Sequence, residues 1–104
     1  MIKVEITKKD GIIEKIIVKG HANYSEYGKD IVCAAVSSLV LCTINGILSL
    51  EGNTITTNYY KDTLTISIDK YTFINEKLIK NMINSLNQIE KDYSKNIKIT
   101  YIGG

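Results

Sequence analysis

Gly20-His21-Ala22-Asn23-Tyr24-Ser25-Glu26-Tyr27-Gly28-Lys29-Asp30-Ile31-Val32-Cys33-Ala34-Ala35-Val36-Ser37-Ser38 is the stretch on which the reading of the chain turns. An apolar run, Ile12–Lys19, precedes it and reads as a strand ended by Gly20. A polar loop, 22–29, interleaves Tyr24 and Tyr27 with Asn23, Ser25, Glu26 and Gly28. Asp30 then stands as an acceptor ahead of an apolar stretch, the signature of a helix N-cap. Strand, loop and helix start thus meet within about twenty residues, and the rest of the fold is laid out around them.

Upstream, Ile2–Thr7 alternates with Ile2, Val4 and Ile6 on one face, as a strand does. Asp10-Gly11 between it and Ile12–Lys19 is a two-residue hairpin signal. β-branched residues on both faces of Ile12–Lys19 suggest a central strand covered on both sides. Downstream, a helix from Ile31 to about Leu50 is apolar nearly all round and reads as a buried central helix, closed near Gly52 as a C-terminal cap. Thr54–Tyr60 and Thr63–Asp69 form a second hairpin around Lys61-Asp62. Asn75–Tyr93 carries Leu78, Ile79, Met82, Ile83, Leu86 and Ile89 at helical spacing, and Ile97–Ile102 is a last strand. The order ββαββαβ predicts one α+β domain over 1–104: a single, mostly antiparallel sheet with two helices.

Composition narrows the function. The 104 residues suffice for a core without staples. A formal charge of +2 does not point to nucleic acid, and all 13 basic residues are Lys, so no planar guanidinium fork is present. No direct nucleic-acid binding is expected. No apolar run is read as reaching the roughly 20 residues of a membrane span, and the opening residues lack a signal peptide's apolar segment, so a cytoplasmic protein away from membranes is expected. Cys33 and Cys42, nine residues apart on one helix, would lie about 13.5 Å apart, too far for a disulfide. The two cysteines and His21 fall short of the four ligands a structural zinc site needs, so no metal or other cofactor is expected.

The chemistry concentrates at Cys33. A thiol about one turn into a helix meets the positive end of the backbone dipole, which favours its ionisation. His21, the single histidine, stands at a strand end that the loop can bring against that helix terminus, where an imidazole could take the thiol proton and return it. Free cysteines are also commonly buried, so composition alone leaves a structural reading open for Cys33. Cys42 falls about 180° from Cys33 around the helix and reads as a small buried hydrophobe. Asp30 has two readings, helix cap and partner of His21. Ser37, one turn beyond Cys33, can bond substrate or its own helix backbone. Two glycines, Gly20 and Gly28, would let the loop swing, and its tyrosines could grip an extended peptide or simply pack.

Gly20-His21-Ala22, a short loop, then Gly28-Lys29-Asp30-Ile31-Val32-Cys33-Ala34-Ala35-Val36-Ser37 resembles the signature of the Prp family of ribosomal-processing cysteine proteases. The resemblance extends along essentially the whole chain in length and element order. It implies a homodimeric bacterial endopeptidase that removes the N-terminal extension of a large-subunit ribosomal protein, number twenty-seven, before ribosome assembly. It implies Cys33 as nucleophile, His21 as its base, and Gly20, Asp30 and Ser37 as supporting residues. The rival from another class is a non-catalytic module that binds a ribosomal component, with Cys33 a buried helix residue. A thiol redox protein ranks behind it, since no resolving cysteine lies near Cys33.

Overall fold

A computed structural model describes residues 1–20 and 29–104, with side chains resumed from Ile31. His21, Tyr24, Tyr27, the rest of the 21–28 loop and the side chain of Asp30 lie outside the described residues. The elements are β1 (Ile2–Lys9), β2 (Ile12–Lys19), α1 (Lys29–Leu50), β3 (Ile55–Tyr60), β4 (Thr63–Ile68), α2 (Phe73–Asp92) and β5 (Ile97–Gly103). The five strands form one sheet in the order β3-β4-β2-β1-β5, antiparallel throughout except for the β1–β5 pair, which is parallel. The ββαββαβ order and the mostly antiparallel sheet are as the periodicity predicts.

Local chemistry explains the first hairpin. Asp10 and Gly11 both adopt positive φ, 53° and 76°, the pairing a type I′ turn requires and the one that matches strand twist. The register it sets puts Ile6 opposite Ile16 and Val4 opposite Val18, so the inward alternation of each strand meets that of its neighbour. These four residues, with Ile2, Ile55, Leu64, Ile66 and Ile97, make the sheet's share of the core. Val32, Val36, Val40, Ile44 and Ile47 of α1 and Ile79, Met82, Ile83 and Leu86 of α2 make the helical share.

Several expectations are corrected. β2 is the middle strand of the sheet, but only its Ile16 and Val18 face is buried. Glu5, Ile17 and Thr65 share the other face by register, and no described element covers them. Ile17 is tolerated there because long polar neighbours shield a half-buried aliphatic group. The helix α1 is not buried all round: a stripe at i, i+4 spacing packs inward, while Ile31, Leu41, Leu48 and Leu50 are exposed. Cys42 is exposed too, because its position is on the outward side. Ile31–Leu50, 20 residues of mean hydropathy 2.2, is long and apolar enough to cross a membrane by length and composition. In this fold it is the helix that seals the sheet. Gly52 does not take a positive φ and so is not a left-handed cap; the end of α1 is secured instead by the Glu51 side chain, described below.

Candidate active site

The chain positions the site at one end of the sheet. Gly20 follows the last residue of β2 with φ 81°, a left-handed conformation that other residues rarely adopt, and its N–H donates to the Asp62 carbonyl at 2.9 Å. That bond ties the strand end to the β3–β4 turn. α1 enters from the same end, because its far terminus leads into Ile55, which pairs with Ile68 at the opposite end of β4. Ser37 on α1 borders a small apolar niche with Val36, Val40, Leu41, Val18 and Leu64, so α1 crosses over β2 and β4 here. Cys33 lies one turn, about 6 Å, closer to the helix start. The end of β2 and the beginning of α1 are therefore neighbours.

Helix α1 is already formed at Lys29. Asp30 thus lies one residue inside the first turn and is not the cap residue, a correction to the sequence reading. Cys33 is the fifth helical residue, just past the turn whose N–H groups lack intrahelical partners. It is half-buried and packs against the core, as does a half-buried residue flanking the inward stripe. Ser37 is half-buried one turn further along the same flank. Cys42 is exposed on the opposite side of the helix, so the two thiols do not share a site. Gly20, Cys33 and Ser37 are thus brought to one end of the sheet, and His21 follows Gly20 directly in sequence. No cluster of His, Cys, Asp and Glu with metal-binding geometry occurs among the described residues.

The opposite end of α1 is held by a polar network that the sequence reading missed. Glu51 accepts hydrogen bonds from Thr54 Oγ1 at 2.6 Å, Thr72 Oγ1 at 2.7 Å and Asn75 Nδ2 at 3.3 Å. Thr72 is the N-cap of α2, and with Asn75 it forms a reciprocal capping box. Asn75, almost completely buried, also donates to the Lys70 carbonyl at 2.9 Å. The hydroxyls of Thr54 and Thr72, then the Asn75 amide and the Lys70 charge, hold the Glu51 carboxyl below its ordinary range despite partial desolvation. One carboxylate thereby joins the C-terminus of α1 to the N-terminus of α2. The available signal was Thr72 three residues before Asn75, an amide variant of the capping-box pattern.

Known proteins match this chain throughout. The sequence model of the family described as Cysteine protease Prp matches residues 1–98. The chain is 34% identical over 105 residues to the ribosomal processing cysteine protease Prp of Staphylococcus aureus, covering 97% of this chain and 99% of the relative. Two crystal structures of the essential ribosomal processing protease Prp from S. aureus superpose on it with a TM-score of 0.85, each covering 97% of this chain and 99% of the other. One, 30% identical, is a complex with a substrate peptide; the other, 35% identical, holds a covalently linked product peptide. This chain is a cysteine protease and belongs to the Prp family of ribosomal-processing cysteine proteases.

Proposed function

We propose that the chain is the endopeptidase that removes the N-terminal extension of a ribosomal protein precursor, large-subunit protein number twenty-seven, with Cys33 as nucleophile and His21 as general base. The observation that carries this reading is the half-buried thiol at the start of α1, beside the end of β2, in a fold whose S. aureus counterpart holds a covalently linked product peptide. Cys33 attacks the scissile carbonyl, and His21 takes the thiol proton and delivers it to the leaving amine. Donors at the start of α1 stabilise the oxyanion as charge develops. Water, activated by the same imidazole, then hydrolyses the thioester.

The supporting residues follow from position. Gly20 lets the chain leave β2 in a left-handed conformation directly ahead of His21 in sequence. Asp30, inside the first turn, would oppose a bare thiolate by its charge, so its role in this reading is counter-ion to the His21 imidazolium. Ser37 supplies a hydroxyl on the substrate side of the helix. Cys33 and Cys42, on opposite sides of α1, cannot pair with each other, and the reading places the protein in the cytoplasm, where ribosomes are assembled.

The reading includes a homodimer. From Ile31 to Leu50 α1 carries no charged residue, and its outward side exposes Ile31, Leu41 and Leu48. A solvent-facing helix side is ordinarily polar, so this side fits the surface of a second copy. Incubating the protein with the uncleaved precursor tests the activity. Release of the extension by wild type and by Cys42→Ala, but not by folded Cys33→Ala or His21→Ala, is expected; cleavage by Cys33→Ala would overturn the assignment.

A further inference from the structure

At the other end of the sheet a cleft of about 320 Å³ opens between α2 and the β1–β2 hairpin. That volume falls within the range of small-ligand pockets, roughly 300–1,000 Å³. Strand alternation explains why it exists. Ile2, Val4 and Ile6 face the core, so the next inward place on β1 is position 8, held by a half-buried lysine. On β5 the inward series Ile97 and Ile99 continues to Tyr101, which register sets beside Ile6. Lys8 itself pairs with Ile13. Where the core would continue there is instead a cation and a phenol above a floor of Ile13, Ile68, Ile79 and Ile83.

The charges in the cleft do not cancel. Glu76 is engaged by Lys80 at 3.2 Å and by the Tyr71 hydroxyl. The Lys8 ammonium lies 5.9 Å from the centre of the Tyr101 ring, and no described carboxylate lies within 4.0 Å of it. Asn84, exposed on the α2 wall, brings an amide with no hydrogen-bond partner among the described residues. One uncompensated cation and one amide therefore stand over an aliphatic floor flanked by Tyr71 and Tyr101.

We propose that this cleft is a second binding site, taking a small amphipathic carboxylate whose anionic group meets Lys8 and Asn84 while its apolar body covers the isoleucine floor. β2 spans about 23 Å from this end to the Cys33 end, so the ligand and the scissile bond occupy separate places. The carboxylate has two natural sources, a free small acid and the C-terminus of an apolar peptide.

The test is a titration of the full chain, followed by amide NMR shifts, with 3-phenylpropionate, 3-phenylpropionamide and the free acid of acetyl-Leu-Ile-Phe. Saturable shifts at Lys8, Ile12 and Asn84 are expected with both acids. Binding about tenfold weaker is expected for the amide and for Lys8→Met, the scale of one charge-assisted hydrogen bond, with Lys8→Arg retaining binding. Tighter binding of the peptide acid identifies a chain terminus as the source, and tighter binding of phenylpropionate identifies a free acid; either result upholds the site. Equal binding of acid and amide overturns it, as does undiminished binding by Lys8→Met. So does the lack of saturable shifts by about 20 mM ligand, or shifts confined to residues around Cys33. If Lys8→Met does not fold, the acid–amide comparison on the wild-type chain still decides.

Discussion

The two helices cover the same sheet in opposite ways. α2 is amphipathic: Ile79, Met82, Ile83 and Leu86 face the core, while Lys77, Lys80, Asn81, Asn84, Gln88 and Lys91 face out. Its first turn is closed by a capping box, and Lys91 lies in the last turn where a cation suits the helix dipole. α1 buries an equally regular stripe, Val32 to Ile47, yet its outward side is Ile31, Ala34, Ala35, Ser38, Leu41, Cys42, Asn45 and Leu48. Those residues gain little from water, and the same helix carries Cys33. The helix that departs from the amphipathic pattern is the one that would meet a second copy in the proposed homodimer, whereas α2 keeps its polar outward face and lines the proposed cleft with its flank.

Charging both outward sides alike separates the two helices most strongly. In the proposed homodimer both Leu41 and Leu48, exposed in the single chain, would be covered, so Leu41→Glu with Leu48→Glu is expected to weaken that association by about a hundredfold or more, because a buried charge without a partner is costly. Asn81→Glu with Gln88→Glu on α2 should leave it unchanged. Sedimentation velocity over a concentration series reads the difference, and equal behaviour of the two pairs would remove the distinction between the helices. Truncation gives the next largest effect. Leu86→Ala, at a fully buried position, should cost about 2–5 kcal/mol in urea unfolding. Leu50→Ala, 64% exposed at the end of α1, should stay within about 0.5 kcal/mol. A smaller loss tests the junction between the helices: Thr72→Ala removes the cap of α2 and should cost about 0.5–2 kcal/mol.

Much of this was legible in the sequence, for physical reasons that also explain the failures. The Ile2, Val4, Ile6 alternation and the Asp10-Gly11 turn are local signals, and both strands and turn occur where they indicate. α2 was legible because its inward face and polar outward face have different chemistry. α1 misled because apolarity reports preference for burial without naming what does the burying: Cys42 and Leu41 are as apolar as buried residues, yet both face outward. The Glu51 network was hidden because its members, Glu51, Thr54, Thr72 and Asn75, are brought together by tertiary structure. Of the site, Cys33 and Ser37 lie on one flank as helical spacing requires, whereas Asp30 shifts from cap to first turn because the helix begins one residue before it.

The smallest predicted effect concerns pH and the junction at the end of α1. The Glu51 carboxyl sits below its ordinary value of 4.5, first because Thr54 and Thr72 donate to it. A carboxyl lowered in the folded state adds stability that is complete above the unfolded value, and that stability is lost as pH falls through the folded value. Wild type should therefore weaken below about pH 4.5 by an amount Glu51→Gln does not share. Glu76 is lowered as well, by Tyr71 and Lys80, and contributes an acid limb with the same sign. That limb is common to both proteins and cancels when the variant is subtracted from wild type. The residual difference should be largest near neutrality, favour wild type, and shrink toward acid. Urea unfolding of both proteins from pH 3 to pH 7 measures it. A difference that stays constant across that range would mean that the Glu51 carboxyl ionises alike in the folded and unfolded chain, so that its charge adds nothing to the junction; a difference of zero throughout would mean that a neutral amide serves the junction as well as the carboxylate.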